Sequence, residues 1–89
     1  MLEREILITN KLGLHARASA KLVQLLSSFR AEAFLLRNGR EVNAKSIMGV
    51  LLLAAGVDST VTLRIQGDDE AAALDAATAL FTRNFDEGG

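Results

Sequence analysis

Apolar and polar positions along this chain change period several times, and each change marks an element. Over Leu2 to Thr9, residues Leu2, Arg4, Ile6 and Ile8 share one side of an extended chain, with Glu3, Glu5 and Leu7 on the other. Arg4 interrupts the apolar side, but the period of two is that of a strand. Asn10 to Leu14 contains Gly13 and reads as a connecting loop. From Ala16 to about Ser28 the spacing becomes helical, with Ser19, Leu22, Val23 and Leu26 three and four apart on one face.

Glu32 to Arg37 and Arg40 to Ala44 flank Asn38-Gly39. That dipeptide predicts a hairpin, because a type I′ turn needs positive φ at both central positions. Ser46 to Ala55 then predicts a short helix, with Ser46 as its N-cap and Gly56 as its stop. Thr60 to Gln66 alternates cleanly, with Val61, Leu63 and Ile65 inward. After Gly67, Asp68 or Asp69 is the expected cap of a last helix, whose core stripe is Ala73, Leu74, Ala77, Leu80 and Phe81. The order β-α-β-β-α-β-α predicts an α+β fold: a four-stranded, mainly antiparallel sheet with three helices on one face. Phe34 and Leu36 point to the other face, which is left partly uncovered. Only the terminal Asp-Glu-Gly-Gly reads as a loose tail.

Composition narrows the classes. The 89 residues fit one domain spanning 1–89, and 49% apolar content is of the globular kind. No cysteine is present, which excludes disulfides, thiolate metal sites and cysteine catalysis. Ten basic and eleven acidic residues give a net charge of −1, the wrong balance for a general nucleic-acid binder. The longest apolar run, Ile47 to Ala55, is nine residues, against the roughly 20 that cross a bilayer. Met-Leu-Glu-Arg-Glu lacks the basic start of a secretory signal, so a cytoplasmic protein without membrane insertion is expected.

Phosphate-loop, dinucleotide and nucleophile-elbow motifs are all missing. One histidine cannot make a His-rich metal site, and Asp68, Asp69 and Glu70 read as charge at a helix start, so neither metal nor cofactor is expected. A complete stand-alone active site is not expected either. The lone His15, however, falls at the N-cap of the helix that begins near Ala16. The free N–H groups and the positive end of the helix dipole favour a neutral, nucleophilic ring there, and they favour an anion once the ring is phosphorylated. Arg17 supplies a long cation able to hydrogen-bond two phosphoryl oxygens. The segment from Ser46 to Leu53 is apolar on every side, so part of it should face solvent and suit a protein partner.

Two motifs in these places resemble one family. Gly13-Leu14-His15-Ala16-Arg17-Ala18-Ser19 is similar to the active-site signature of the histidine-containing phosphocarrier (HPr) family of the bacterial phosphoenolpyruvate-dependent phosphotransferase system. Asn43-Ala44-Lys45-Ser46-Ile47-Met48-Gly49-Val50 resembles its regulatory serine segment. The resemblance covers essentially the whole chain and implies an open-faced β-sandwich. It also implies that His15 accepts a phosphoryl group from phosphorylated enzyme I and passes it to a IIA-type protein. In that reading Arg17 steadies the group, and Ala16 and Arg17 supply backbone N–H donors. Ser46 becomes a phosphorylation site for an HPr kinase/phosphorylase, and Ala20, Ile47, Met48, Leu51 and Leu52 become docking positions. Such proteins are carriers more than enzymes, and a shuttle of this kind fits a monomer.

One position departs from the pattern. The family usually has proline after the arginine, where this chain has Ala18. Alanine keeps the helix start and restores one donor, so transfer should survive. The departure leaves open a nitrogen-related branch, whose carriers also differ from the sugar-transport signature. Two readings from other classes are weaker. An ACT-like small-molecule-binding domain shares the β-α-β-β-α-β order but leaves His15 and Arg17 without a task. An RNA-binding module needs exposed aromatics and a basic sheet face, and only Phe34 is available.

Overall fold

The computed structural model describes residues 1–87, so Gly88 and Gly89 of the expected tail lie outside the described residues. The period-two segments form β1 (Leu2–Leu7), β2 (Glu32–Arg37), β3 (Arg40–Asn43) and β4 (Thr60–Gln66). The period-3.6 segments form α1 (Ala16–Ser27), α2 (Ile47–Leu52) and α3 (Glu70–Thr82), and a short 3-10 turn follows at Asn84–Asp86. The strands make one sheet of order β1-β4-β2-β3, and every pairing is antiparallel. In register, Ile6 faces Val61 and Leu35 faces both Leu63 and Val42.

Alternation along each strand decides which face is covered. Val61, Leu63 and Ile65 of β4, Ala33 and Leu35 of β2 and Ile6 of β1 are buried under the helices. They meet Leu22 and Leu26 from α1, Val50 from α2, and the Ala73, Leu74, Ala77, Leu80 and Phe81 stripe of α3. Phe34 and Leu36 lie on the opposite face and remain partly exposed. On that face Arg64 bridges Glu3 of β1 at 2.6 Å and Glu41 of β3 at 2.8 Å. The expected open-faced architecture is the one observed.

Asn38 and Gly39 both take positive φ, 51° and 78°, as the hairpin requires. At Gly13 the demand is twofold. Its φ is +63°, and a Cβ there would stand 2.6 Å from the Ala55 carbonyl oxygen. The Leu14 amide donates to that same carbonyl at 2.9 Å, which fixes the loop entering α1.

Three local expectations are corrected. The segment expected as a helix from Ser46 to Ala55 is helical only over Ile47–Leu52, and the stop is Ala54 in the left-handed region (φ 53°), not Gly56. The chain must leave the helix early to bring Ala55 against Gly13, and Arg40 Nη1 donates to the freed Leu52 carbonyl at 2.9 Å. Asp69 occupies the N-cap of α3, but its side chain makes no cap bond to that helix. Its carboxylate instead accepts the Arg30 and Ala31 amides at 2.9 and 2.8 Å, tying the entry of β2 to the start of α3. Those amides, Arg30 first, hold the Asp69 carboxyl below its usual range.

The third correction concerns the expected loose tail. Phe85 is fully buried, its ring edge-on to Phe81 with centroids 4.9 Å apart. Asp86 and Glu87 follow it in an ordered turn anchored on three sides. Thr9 Oγ1 donates to Asn84 Oδ1 at 2.5 Å, Lys21 Nζ to the Phe85 carbonyl at 2.5 Å, and Arg83 Nε to Asp86 at 3.0 Å.

Candidate functional site

Local sequence places His15 at the start of α1 with extended backbone, φ −75° and ψ −178°. Its carbonyl accepts the first helical bond, from the Ser19 amide at 2.8 Å. Buried Ser19 also donates its hydroxyl to the Leu14 carbonyl at 3.0 Å, which clamps the residue before the histidine to the first turn. With this backbone the ring folds back over the helix start, and its Nδ1 accepts the Arg17 amide at 3.3 Å. The contact is long for a hydrogen bond, so it aims the ring more than it holds it. Among the described residues no backbone carbonyl meets the amides of Ala16 or Ala18. The start of α1 is therefore unpaired at these two amides, as expected of a helix N-terminus.

The ring is 27% exposed at the floor of an open cleft of about 910 Å³. Lys11, Leu12, Arg17 and Lys21 line the cleft together with Asp86 and Glu87. Arg17 is exposed and makes no side-chain hydrogen bond or ion pair among the described residues, so its guanidinium is free to follow a charged group on Nδ1. The cleft thus combines an imidazole, helix-start amides and mobile cations, which suits it to carrying an anionic group on nitrogen.

Glu87 is a member of this site that sequence reasoning missed. Glu87, 13% exposed at its side chain, brings Oε2 to 2.5 Å from His15 Nε2. Its Oε1 accepts from Asn10 Nδ2 at 3.2 Å, and the same amide donates to the Gly13 carbonyl at 2.8 Å. Burial pushes the Glu87 carboxyl up, but the hydrogen bonds from His15 and Asn10 and the charge of Lys21 outweigh it, leaving a carboxylate below its usual range. The available signal was Phe85, which stands four residues after Phe81 and continues the α3 stripe toward the chain end.

The other candidate residues fall as follows. Ser46 is the N-cap of α2, its Oγ accepting the Gly49 amide at 3.1 Å. Ile47, Met48 and Leu52 are exposed, with Met48 at 66%, while Leu51 and Ala20 are half-buried. Leu12, unremarked in the sequence, is also largely exposed and borders the cleft. Among the described residues no cluster of potential metal ligands occurs, and no helix is long and apolar enough to cross a membrane.

Comparison with known proteins decides the family. A family profile described as "PTS HPr component phosphorylation site" matches residues 2–83. The chain belongs to the HPr family. It is 59% identical to the phosphocarrier protein HPr of Cupriavidus necator over 88 residues, 99% of each chain. The crystal structure of HPr-C-His from Thermoanaerobacter tengcongensis superposes with a TM-score of 0.95 at 41% identity, covering 98% of both chains. The phosphocarrier protein NPr of Shewanella violacea is 48% identical, over 97% of this chain and 94% of the relative. The general activity follows from membership: this is an HPr phosphocarrier of the phosphotransferase system. ACT-like ligand binding and RNA binding are thereby set aside. The Ala18 departure leaves the HPr fold intact, with the Ala18 methyl fully buried in α1.

Proposed function

We propose that this HPr is a monomeric cytoplasmic shuttle in which His15 takes a phosphoryl group on Nδ1 from phospho-enzyme I and gives it to a histidine of a IIA-type protein. The observation that carries this reading is the orientation of the ring. Nδ1 lies 3.3 Å from the Arg17 amide at the start of α1, and the exposed Arg17 side chain has no partner among the described residues. The bonds exchanged are phosphorus–nitrogen bonds of similar kind on either protein, so positioning and charge compensation supply most of the rate. The Ala16 and Arg17 amides and the Arg17 guanidinium meet the arriving charge.

Docking uses the face of α1 and α2 that carries Ala20, Ile47, Met48, Leu51 and Leu52, where Met48 adapts to more than one partner. The contact is small and short-lived, because the carrier must release each partner in turn. Ser46, beside that face, is the regulatory site. A phosphoserine of roughly −1.5 to −2 charge suits its own helix start but repels acidic partner surfaces. A resident HPr kinase/phosphorylase would install it.

Incubation with enzyme I and phosphoenolpyruvate tests the reading. The expected product is an acid-labile adduct with the mass of one phosphoryl group, absent in His15→Ala. No adduct with an active, compatible enzyme I would contradict the proposal. A second reading, a carrier of the nitrogen-related branch, is favoured by Ala18 in place of the usual proline and by the similarity to NPr. Preference for a nitrogen-branch enzyme I over a sugar-branch one separates the two.

A further inference from the structure

The contact between the end of the chain and the far edge of the imidazole has a chemical consequence. An ionised carboxylate only accepts hydrogen bonds, so a contact of 2.5 Å between Glu87 Oε2 and Nε2 requires the ring proton to be on Nε2. The lone pair of a neutral ring is then on Nδ1, the nitrogen that faces the Arg17 amide. We infer that Glu87 is a positioning residue that holds His15 in its Nε2–H tautomer and so selects Nδ1 as the atom that receives the phosphoryl group. The kinetic consequence rests on the carrier role proposed for His15, whereas the tautomer does not.

The rest of the turn is built to keep Glu87 in place. Its second oxygen is held by Asn10, which is 1% exposed and also braces the Gly13 carbonyl two residues before His15. Phe85, two residues before it, is fully buried, and Lys21 from α1 donates to the Phe85 carbonyl. Asn84, Phe85 and Asp86 all take positive φ (54°, 56° and 61°), a conformation these residues seldom adopt. Such a run persists where its surroundings hold it, and here it reverses the chain so that Glu87 reaches the ring.

The transfer step balances with Glu87 as a bystander to the bond changes. The Nδ1 lone pair forms the new nitrogen–phosphorus bond while the donor's phosphorus–nitrogen bond breaks, its electron pair returning to the donor nitrogen. No proton leaves His15. The Nε2 proton stays on the ring, and the carboxylate offsets the positive charge that develops there. When the group is passed on, the same electron pair returns to Nδ1.

Long-range ¹⁵N–¹H spectra of the His15 ring, recorded at alkaline pH on the full chain without any partner, test the inference. The native protein is expected to show the Nε2–H tautomer as the dominant form. Glu87→Gln, whose carboxamide can donate as well as accept, is expected to shift the ring toward a mixture. With enzyme I it should lower kcat for phosphoryl transfer about tenfold, the factor that losing one charge-assisted hydrogen bond implies, with KM unchanged. A dominant Nδ1–H tautomer in the native protein, or native ring spectra in Glu87→Gln, would overturn the assignment. Failure of His15 to take up phosphoryl from enzyme I would instead strike the carrier role, and the ring spectra would still decide the part played by Glu87.

Discussion

His15 and Glu87, 72 residues apart in sequence, meet at 2.5 Å across the floor of the cleft. One nitrogen of the ring faces the start of α1 and the other faces the end of the chain. The site is therefore assembled from both ends of the fold, with Asn10 as the amide that joins them.

In the proposed transfer, Arg17 answers the charge that arrives on Nδ1. It is exposed and unpaired among the described residues, so the fold does not depend on it. Arg17→Ala is expected to slow transfer from enzyme I by about tenfold or more, the loss of one or two charge-assisted hydrogen bonds, with an unchanged melting temperature. Stopped transfer assays with equal rates for both proteins would remove its role.

Two substitutions at Ser46 separate its capping role from the proposed regulatory one. Ser46→Ala loses the acceptor for the Gly49 amide and should cost about 1 kcal/mol in urea titrations. Ser46→Asp keeps a capping oxygen, so stability should hold while enzyme I binds more weakly in calorimetry. Equal affinity would refute repulsion at the docking face.

Acid should loosen the seam between β2 and α3. The folded Asp69 carboxyl is held below its ordinary value by the Arg30 and Ala31 amides. A depressed folded pKa means that the contribution is fully present above the unfolded value, about 3.9, and is lost as pH falls through the folded one. In thermal melts, the native protein should exceed Asp69→Asn at pH 7, and the gap should narrow as acid titrates the folded carboxyl below the unfolded value. A gap independent of pH would contradict this origin.

Much of this was legible in the chain because it is periodic. The strands β2 and β4, the Asn38-Gly39 hairpin and the core stripe of α3 follow from alternation, turn chemistry and helical spacing. His15 was legible for a different reason: it is the only histidine, and it falls where the loop ends and the helical period begins. What escaped depends on long-range demands. Ala54 stops α2 because Ala55 must reach Gly13, and no local pattern announces that meeting. Asp69 has the composition of a cap, yet its oxygens are claimed by amides 38 and 39 residues away. Glu87 lies in a segment whose polar and glycine content reads as a tail, and only the burial of Phe85 makes it part of the site.

Phe85 links stability to that site. Phe85→Ala removes a fully buried ring and is expected to cost about 3–5 kcal/mol in urea titrations, a large share of what so small a domain has. Phe85→Leu should recover most of it. A loss below about 1 kcal/mol for the alanine variant would show that the terminal turn is not packed as described.

The most direct test of the whole account is the identity of the phosphorylated atom. ¹⁵N spectra of the chain, after phosphorylation by enzyme I and phosphoenolpyruvate, should show phosphorus bonded to His15 Nδ1, a proton retained on Nε2, and a shifted Arg17 amide. Phosphorus on Nε2, or on any residue other than His15, would contradict it.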